Sequence, residues 1–342
     1  MKHLRPFARV AIVLAAMAAL PAAASSLPPL DGATGWLNGK ALSAADLRGK
    51  VVVVNFWTYS CINSLRQVPY VRAWAQKYKS QGLVVIGVHS PEFGFERDPA
   101  NVKWAIRDYG VDYPVAIDSH HGVWNAFNNE YWPALYFFDA KGVMRHAEFG
   151  EGNYDKSEVL IRQLLAEAGN APGEGPLIAA TGTGAEAPAD ERDERSPETY
   201  TGYARTENFA SPGDIVRDRT HAYEVPGKLA LNQWALAGHW TVGRESAVSD
   251  VPGGKIAYRF HSRDLHFVLG PPLSGTPVHF RITIDGKPPG AAHGTDVDSD
   301  GRGVIDEPRM YQLIRQPLPI ADHVFEIEFI DAGAQAYSFT FG

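Results

Sequence analysis

The chain has 342 residues and a formal net charge of −7, which is long for one small domain and suggests two. It has no long basic run, so a nucleic-acid partner, which needs a basic face, is not expected. It also has a single cysteine, Cys61, so it can form no internal disulfide, and any disulfide must join Cys61 to another molecule.

The chain opens with Lys2, His3, Arg5 and Arg9, followed by the apolar run Val10 to Leu20. That run is short of the ~20 residues of a membrane span. Ala22-Ala23-Ala24 follows as a small-residue cleavage pattern. Residues 1–24 therefore read as a signal peptide cleaved after Ala24, and the mature protein is expected in the periplasm or secreted. No later stretch approaches spanning length.

Lys50 to Trp57 is a continuous β-branched run and predicts a strand buried on both faces. Leu65, Val68, Ala75 and Tyr78 follow at helical spacing, with Pro69 expected to kink the helix. Leu83 to His89 predicts a second buried strand. Pro99 to Tyr109 starts on proline and stops at Gly110, so it reads as a helix. Val115 to Asp118 is a short strand. Ala134 to Asp139 and Val143 to Phe149 flank the turn Ala140-Lys141-Gly142, and Ser157 to Ala168 closes the unit as an amphipathic helix. The order gives an α/β domain over 25–169 with a parallel half and an antiparallel edge.

Residues 170–196 are rich in Gly, Ala, Pro and Glu without apolar periodicity, and read as a flexible linker. Over 197–342 short β-type runs alternate with Gly and Pro turns, which predicts an all-β sandwich.

Cys61 falls between the end of a buried strand and the start of a helix. A helix N-terminus offers free N–H groups and partial positive charge, which favour thiolate, so its pKa is expected below that of a free thiol. The stretch Asn55-Phe56-Trp57-Thr58-Tyr59-Ser60-Cys61-Ile62-Asn63-Ser64 resembles the active-site segment of thioredoxin-like proteins, in particular the DipZ branch of the TlpA-type redoxins. The resemblance resumes at Pro69-Tyr70-Val71-Arg72-Ala73-Trp74-Ala75, at Tyr131-Trp132-Pro133-Ala134, and in the second half at Leu231-Asn232-Gln233-Trp234 and Tyr311-Gln312-Leu313-Ile314.

That resemblance implies a thioredoxin fold, thiol–disulfide exchange without a required cofactor, and a cis proline at Pro133. It implies that Trp132 exposes its backbone to a client chain; Trp57 and Tyr59, just before the thiol, are read as lining the client site with Trp132 and Pro133. It implies a second domain like a carbohydrate-binding module, and as partners a client protein with a disulfide or thiol. The membrane electron-transfer domain of DipZ-type proteins is expected on a separate partner of the CcdA type.

The sequence departs from the family where a second cysteine belongs, because Ser64 stands there. A second thiol normally resolves the mixed disulfide. Ser64 can donate a hydrogen bond to the Cys61 thiolate but cannot form a disulfide, so an external thiol must finish the cycle. Asn55 and Gln67 are neutral where relatives often keep acids. Glu92 is the nearby acid nominated as acid or base.

Asp296, Asp298, Asp300 and Glu307, with Gly301 at the turn, fit the spacing of a calcium loop, although strands flank it where an EF-hand needs helices. Trp234, Trp240, Tyr258 and Tyr337 are candidates for stacking on sugars, or for the core.

The expected function is thiol–disulfide exchange through a single nucleophile, Cys61, with Ser64 lining the site beside it. One rival is a one-cysteine peroxidase, since Thr58 and Cys61 make part of the peroxiredoxin motif, with Val54 where that motif wants proline. The other is a client- or glycan-binding module without turnover.

Overall fold

The computed structural model describes residues 26–342 apart from Ala171 and Glu174; the expected leader lies outside the described residues. The first half contains, in chain order, β1 (Gly35–Leu37), β2 (Val51–Trp57), α1 (Ile62–Tyr78), β3 (Leu83–His89), α2 (Pro99–Asp108), β4 (Val115–Ile117), α3 (Gly122–Ala126), β5 (Ala134–Phe138), β6 (Met144–Phe149) and α4 (Tyr154–Glu167). The strands form one sheet in the order β1-β4-β3-β2-β5-β6. β2, β3 and β4 are parallel, while β1, β5 and β6 pair antiparallel at the two sides.

β2 is buried at every position, as a central strand covered on both faces must be. Val51, Val53 and Trp57 pack on one face with Val68, Val71 and Trp74 of α1 and Leu164 of α4. Val52, Val54 and Phe56 pack on the other with Leu30, Val123 and Phe127. α1 runs unbroken through Pro69. Asp98 caps α2 by accepting from Ala100 N at 2.8 Å, with Pro99 in the first turn.

The second half is all β: β7 (Thr199–Tyr200), β8 (His221–Tyr223), β9 (Trp234–Val242), β10 (Ala247–Ser249), β11 (Gly254–Phe260), β12 (Asp264–Gly270), β13 (Val278–Ile284), β14 (Arg302–Ile305), β15 (Arg309–Arg315), β16 (His323–Phe329) and β17 (Gln335–Phe341). The main path is β14-β13-β16-β11-β9-β10-β17-β12-β15. β9 belongs to two layers. Its residues Trp234 to Ala237 pair with β11, and its residues from Gly238 onward pair with β8 and β10. The change of partner falls at Gly238, whose φ of 91° favours glycine. The layers face one another across one core, where Tyr258 and Phe325 meet Phe339 from the opposite layer.

The stretch between the halves touches both. Ile178 N donates to Glu158 Oε2 at 2.6 Å, and Arg162 donates to the carbonyls of Gly175 and Pro176. Further on, Arg263 donates to Pro188 O at 2.7 Å. The halves also meet directly. Ile62, Leu65 and Phe93 from the first form one buried cluster with Val268, Met310 and Tyr337 from the second.

Candidate active site

Cys61 is the N-cap of α1, with extended backbone, and its half-buried thiol faces the loop before β5. Sγ lies 3.8 Å from Trp132 O, and the Trp132–Pro133 peptide is cis. The Trp132 indole donates to Ser90 O at 3.0 Å and packs on Trp124, which fixes this loop beside the thiol.

Behind the thiol, Glu96 is fully buried and organises the active loop. Its Oε1 accepts from the Thr58 hydroxyl, from Ser60 Oγ at 2.7 Å and from Ser60 N at 3.2 Å. Its Oε2 accepts from the backbone N–H groups of Glu92 and Phe93 at 2.7 and 3.0 Å. Burial nonetheless pushes its carboxyl up to about 7, against the pull of these donors. Sequence reasoning missed Glu96. Capping boxes are recognised by Ser or Thr three residues earlier, and Phe93 stands there.

Ser64 is buried one turn into α1, and Thr58 N donates to its Oγ at 3.4 Å. Its backbone N–H and hydroxyl act on the sulfur to favour thiolate, but three stronger effects oppose them. Burial first, then the charges of Glu92 and Glu198, push the Cys61 thiol up to about 12. The expectation of an acidified thiol is thereby corrected: the helix terminus is present, but desolvation and two carboxylates outweigh it.

Trp57 and Tyr59 are also corrected. Both are fully buried, packed around His89, and present no surface to a client. They belong to the core because β2 continues inward up to the loop. Asn55 and Gln67 are buried and pair with each other, Gln67 Nε2 donating to Asn55 Oδ1 at 2.8 Å.

Glu92 does face the thiol, in a groove of about 220 Å³ between the two halves. The connecting stretch supplies Glu194 to that groove and the second half supplies Glu198, Tyr200 and Arg205, none of them singled out from the sequence. They lie some 130 residues beyond Cys61 in the chain, so no local pattern connects them with it. Tyr200 OH donates to Glu92 Oε1 at 2.7 Å, and Arg205 pairs with the same oxygen at 2.9 Å.

The calcium expectation fails on geometry. Arg309 and the Gln312 backbone N–H occupy Asp296, and Arg302 engages both Asp298, through its backbone N–H, and Asp300. Among the described residues no group of three or more His, Cys, Asp or Glu is placed to hold a metal. The sugar-stacking candidates Trp234, Trp240, Tyr258 and Tyr337 are all buried in packed clusters, so they offer no exposed face.

Each half of the chain resembles known protein families. Residues 23–147 match the AhpC/TSA family and residues 196–342 match the thioredoxin-like C-terminal domain family. The chain is 33% identical over 141 residues to the thiol-disulfide oxidoreductase YkuV of Bacillus subtilis, covering 95% of that protein. The chain belongs to the thioredoxin-like redoxins. It is also 37% identical over 319 residues to protein DipZ of Mycobacterium tuberculosis, a match that takes in 92% of this chain. The redoxin spans 42% of the length of that DipZ protein. A solution structure of a thioredoxin-like protein in the oxidised form is 33% identical and covers 42% of this redoxin, with a TM-score of 0.39.

Proposed function

We propose that this redoxin is an exported thiol–disulfide exchange protein acting through one nucleophilic sulfur, Cys61, as a Cys-x-x-Ser variant of the usual pair. The observation that carries the reading is the placement of Cys61 at the start of α1, 3.8 Å from the carbonyl of Trp132 beside cis Pro133. An extended client chain could meet that loop and bring its disulfide to Sγ. The clients are proteins with disulfides or thiols, and an external thiol completes turnover; a membrane donor of the CcdA type is the proposed source of electrons. Among the described residues no helix is long and apolar enough to cross a membrane.

Insulin reduction tests this reading. With a dithiol reductant the chain should exceed background only slightly while a Cys61-linked adduct accumulates. Ser64→Cys should raise turnover at least about tenfold, or 1.4 kcal/mol of barrier. An unchanged rate with efficient peroxide consumption would install the rival peroxidase reading. The AhpC/TSA match favours that rival. The bonding of Thr58 opposes it, because its hydroxyl is committed to buried Glu96.

A further inference from the structure

The second half does more than flank the groove. It brings Glu198 into a space lined also by Cys61, Glu92, Glu194, Tyr200 and Arg205. Arg205 is committed: it pairs with Glu92 at 2.9 Å and lies over the Tyr200 ring at 3.6 Å. Glu198 forms no ion pair of its own among the described residues, although the Tyr200 hydroxyl and the Arg205 charge favour its ionised form. Burial and the charge of Glu92 outweigh them and push its carboxyl up to about 7. A carboxylate poised there accepts a proton readily at neutral pH.

The thiol has the complementary problem. Its ionisation is opposed partly by the negative charge of Glu198. Moving the proton from Sγ to that carboxylate creates the thiolate and removes the opposing charge in one step.

We propose that Glu198, supplied by the second domain, is the proton acceptor for Cys61. The proposal takes the exchange reading as its setting. The Cys61 S–H proton passes to Glu198, and the sulfur lone pair forms a new S–S bond with one client sulfur. The client S–S bond breaks, its electron pair stays on the departing sulfur, and that sulfur takes the proton back from Glu198. One disulfide is exchanged for another, with no net oxidation.

The test uses the full chain and two reagents: iodoacetamide, which needs no exchange chemistry, and a small aromatic disulfide. The wild-type carbamidomethylation rate should rise through about pH 7, and Glu198→Gln should lose that rise and be at least about tenfold slower at pH 8. Glu198→Asp should keep the rise at a lower plateau. A Gln variant that matches or exceeds wild type across the profile would overturn the proposal, since Glu198 would then only repel the thiolate. Should Glu198→Gln fail to fold by near-ultraviolet circular dichroism, Glu198→Asp decides alone, and an unchanged rate at every pH overturns the proposal. A Glu198-dependent step with iodoacetamide but no adduct from the disulfide sinks the exchange reading and leaves Glu198 standing. A disulfide adduct without the step does the reverse.

Discussion

At the scale of single residues, the buried titratable groups set an unusual acid response. Burial lowers His89 and His266 to about 3, and it raises Glu96 and Glu198 to about 7. Each histidine makes the unfolded chain bind a proton that the native state refuses below about pH 6.5, so it removes stability as the pH falls toward 3. Each glutamic acid makes the native state bind a proton that the unfolded chain lacks between about 4.3 and 7, so it adds stability as the pH falls through that window. Two of each nearly cancel between about pH 6.5 and 4.3. Below that the histidines are joined by Glu158: against the push of burial, its hydrogen bonds to Tyr78, the Ile178 N–H, Lys77 and Arg162 hold it at about 2, so that it too gives up stability as the pH falls. Burial also raises Glu151, Glu186 and Glu194 and lowers His121, so urea unfolding should give no loss of stability from about pH 6.5 to 4.5 and a fall beneath. His89→Phe keeps a ring against Tyr59 and removes one titration. It should flatten the acid limb by about 1.4 kcal/mol per pH unit and expose a rise in stability on acidification above it. A His89→Phe curve parallel to wild type would mean that His89 does not titrate on unfolding.

At the scale of elements, the strands were readable where pattern and burial agree. β2 and β3 announce themselves as runs rich in Val and Ile with few polar residues, because both faces of the sheet are covered. β13 alternates buried and exposed residues, as a strand with one wet face does. The short elements β1, β7, β10 and α3 were not legible: spans of two to five residues hold little more than one period of a pattern, too few repeats to stand out. Cys61, Ser64 and the Trp132–Pro133 loop were legible because they sit in compact words of sequence. Glu96 and Glu198 were not, because their importance comes from what the fold places beside them. The switch of β9 between layers was equally hidden, since Gly238 looks like any turn glycine until its partners are known. With φ at 91° and Gly254 Cα 3.4 Å from where a Cβ would stand, Gly238→Ala should lower stability by about 1–3 kcal/mol. Gly142, also at positive φ but with open space around it, gives a control for strain without crowding. Equal losses at both sites, measured by denaturant titration, would show that the layer switch adds nothing beyond backbone strain.

At the scale of the whole molecule, the two halves share a site and a seam. Arg66 of α1 is buried between them, paired with Glu151 at 3.0 Å and donating to Phe341 O at 3.3 Å. Glu245 accepts from Gly94 N at 3.0 Å, next to the loop that carries Glu92. Glu151→Gln removes the charge partner of a buried guanidinium and should destabilise by several kcal/mol, about 3–5 by analogy with other broken buried pairs. A loss under about 1 kcal/mol in thermal or urea unfolding would show that Arg66 is satisfied without it. The apolar cluster of Ile62, Leu65 and Phe93 with Val268, Met310 and Tyr337 has a further consequence for covalent continuity. A protease nick between residues 170 and 196 cuts the backbone but leaves this cluster intact. The pieces should co-elute on gel filtration as one particle that still alkylates at Cys61, and Phe93→Ser in the nicked protein should release them. The peptide connection would then be a tether that raises local concentration during folding, with the finished particle held together by fragment complementation.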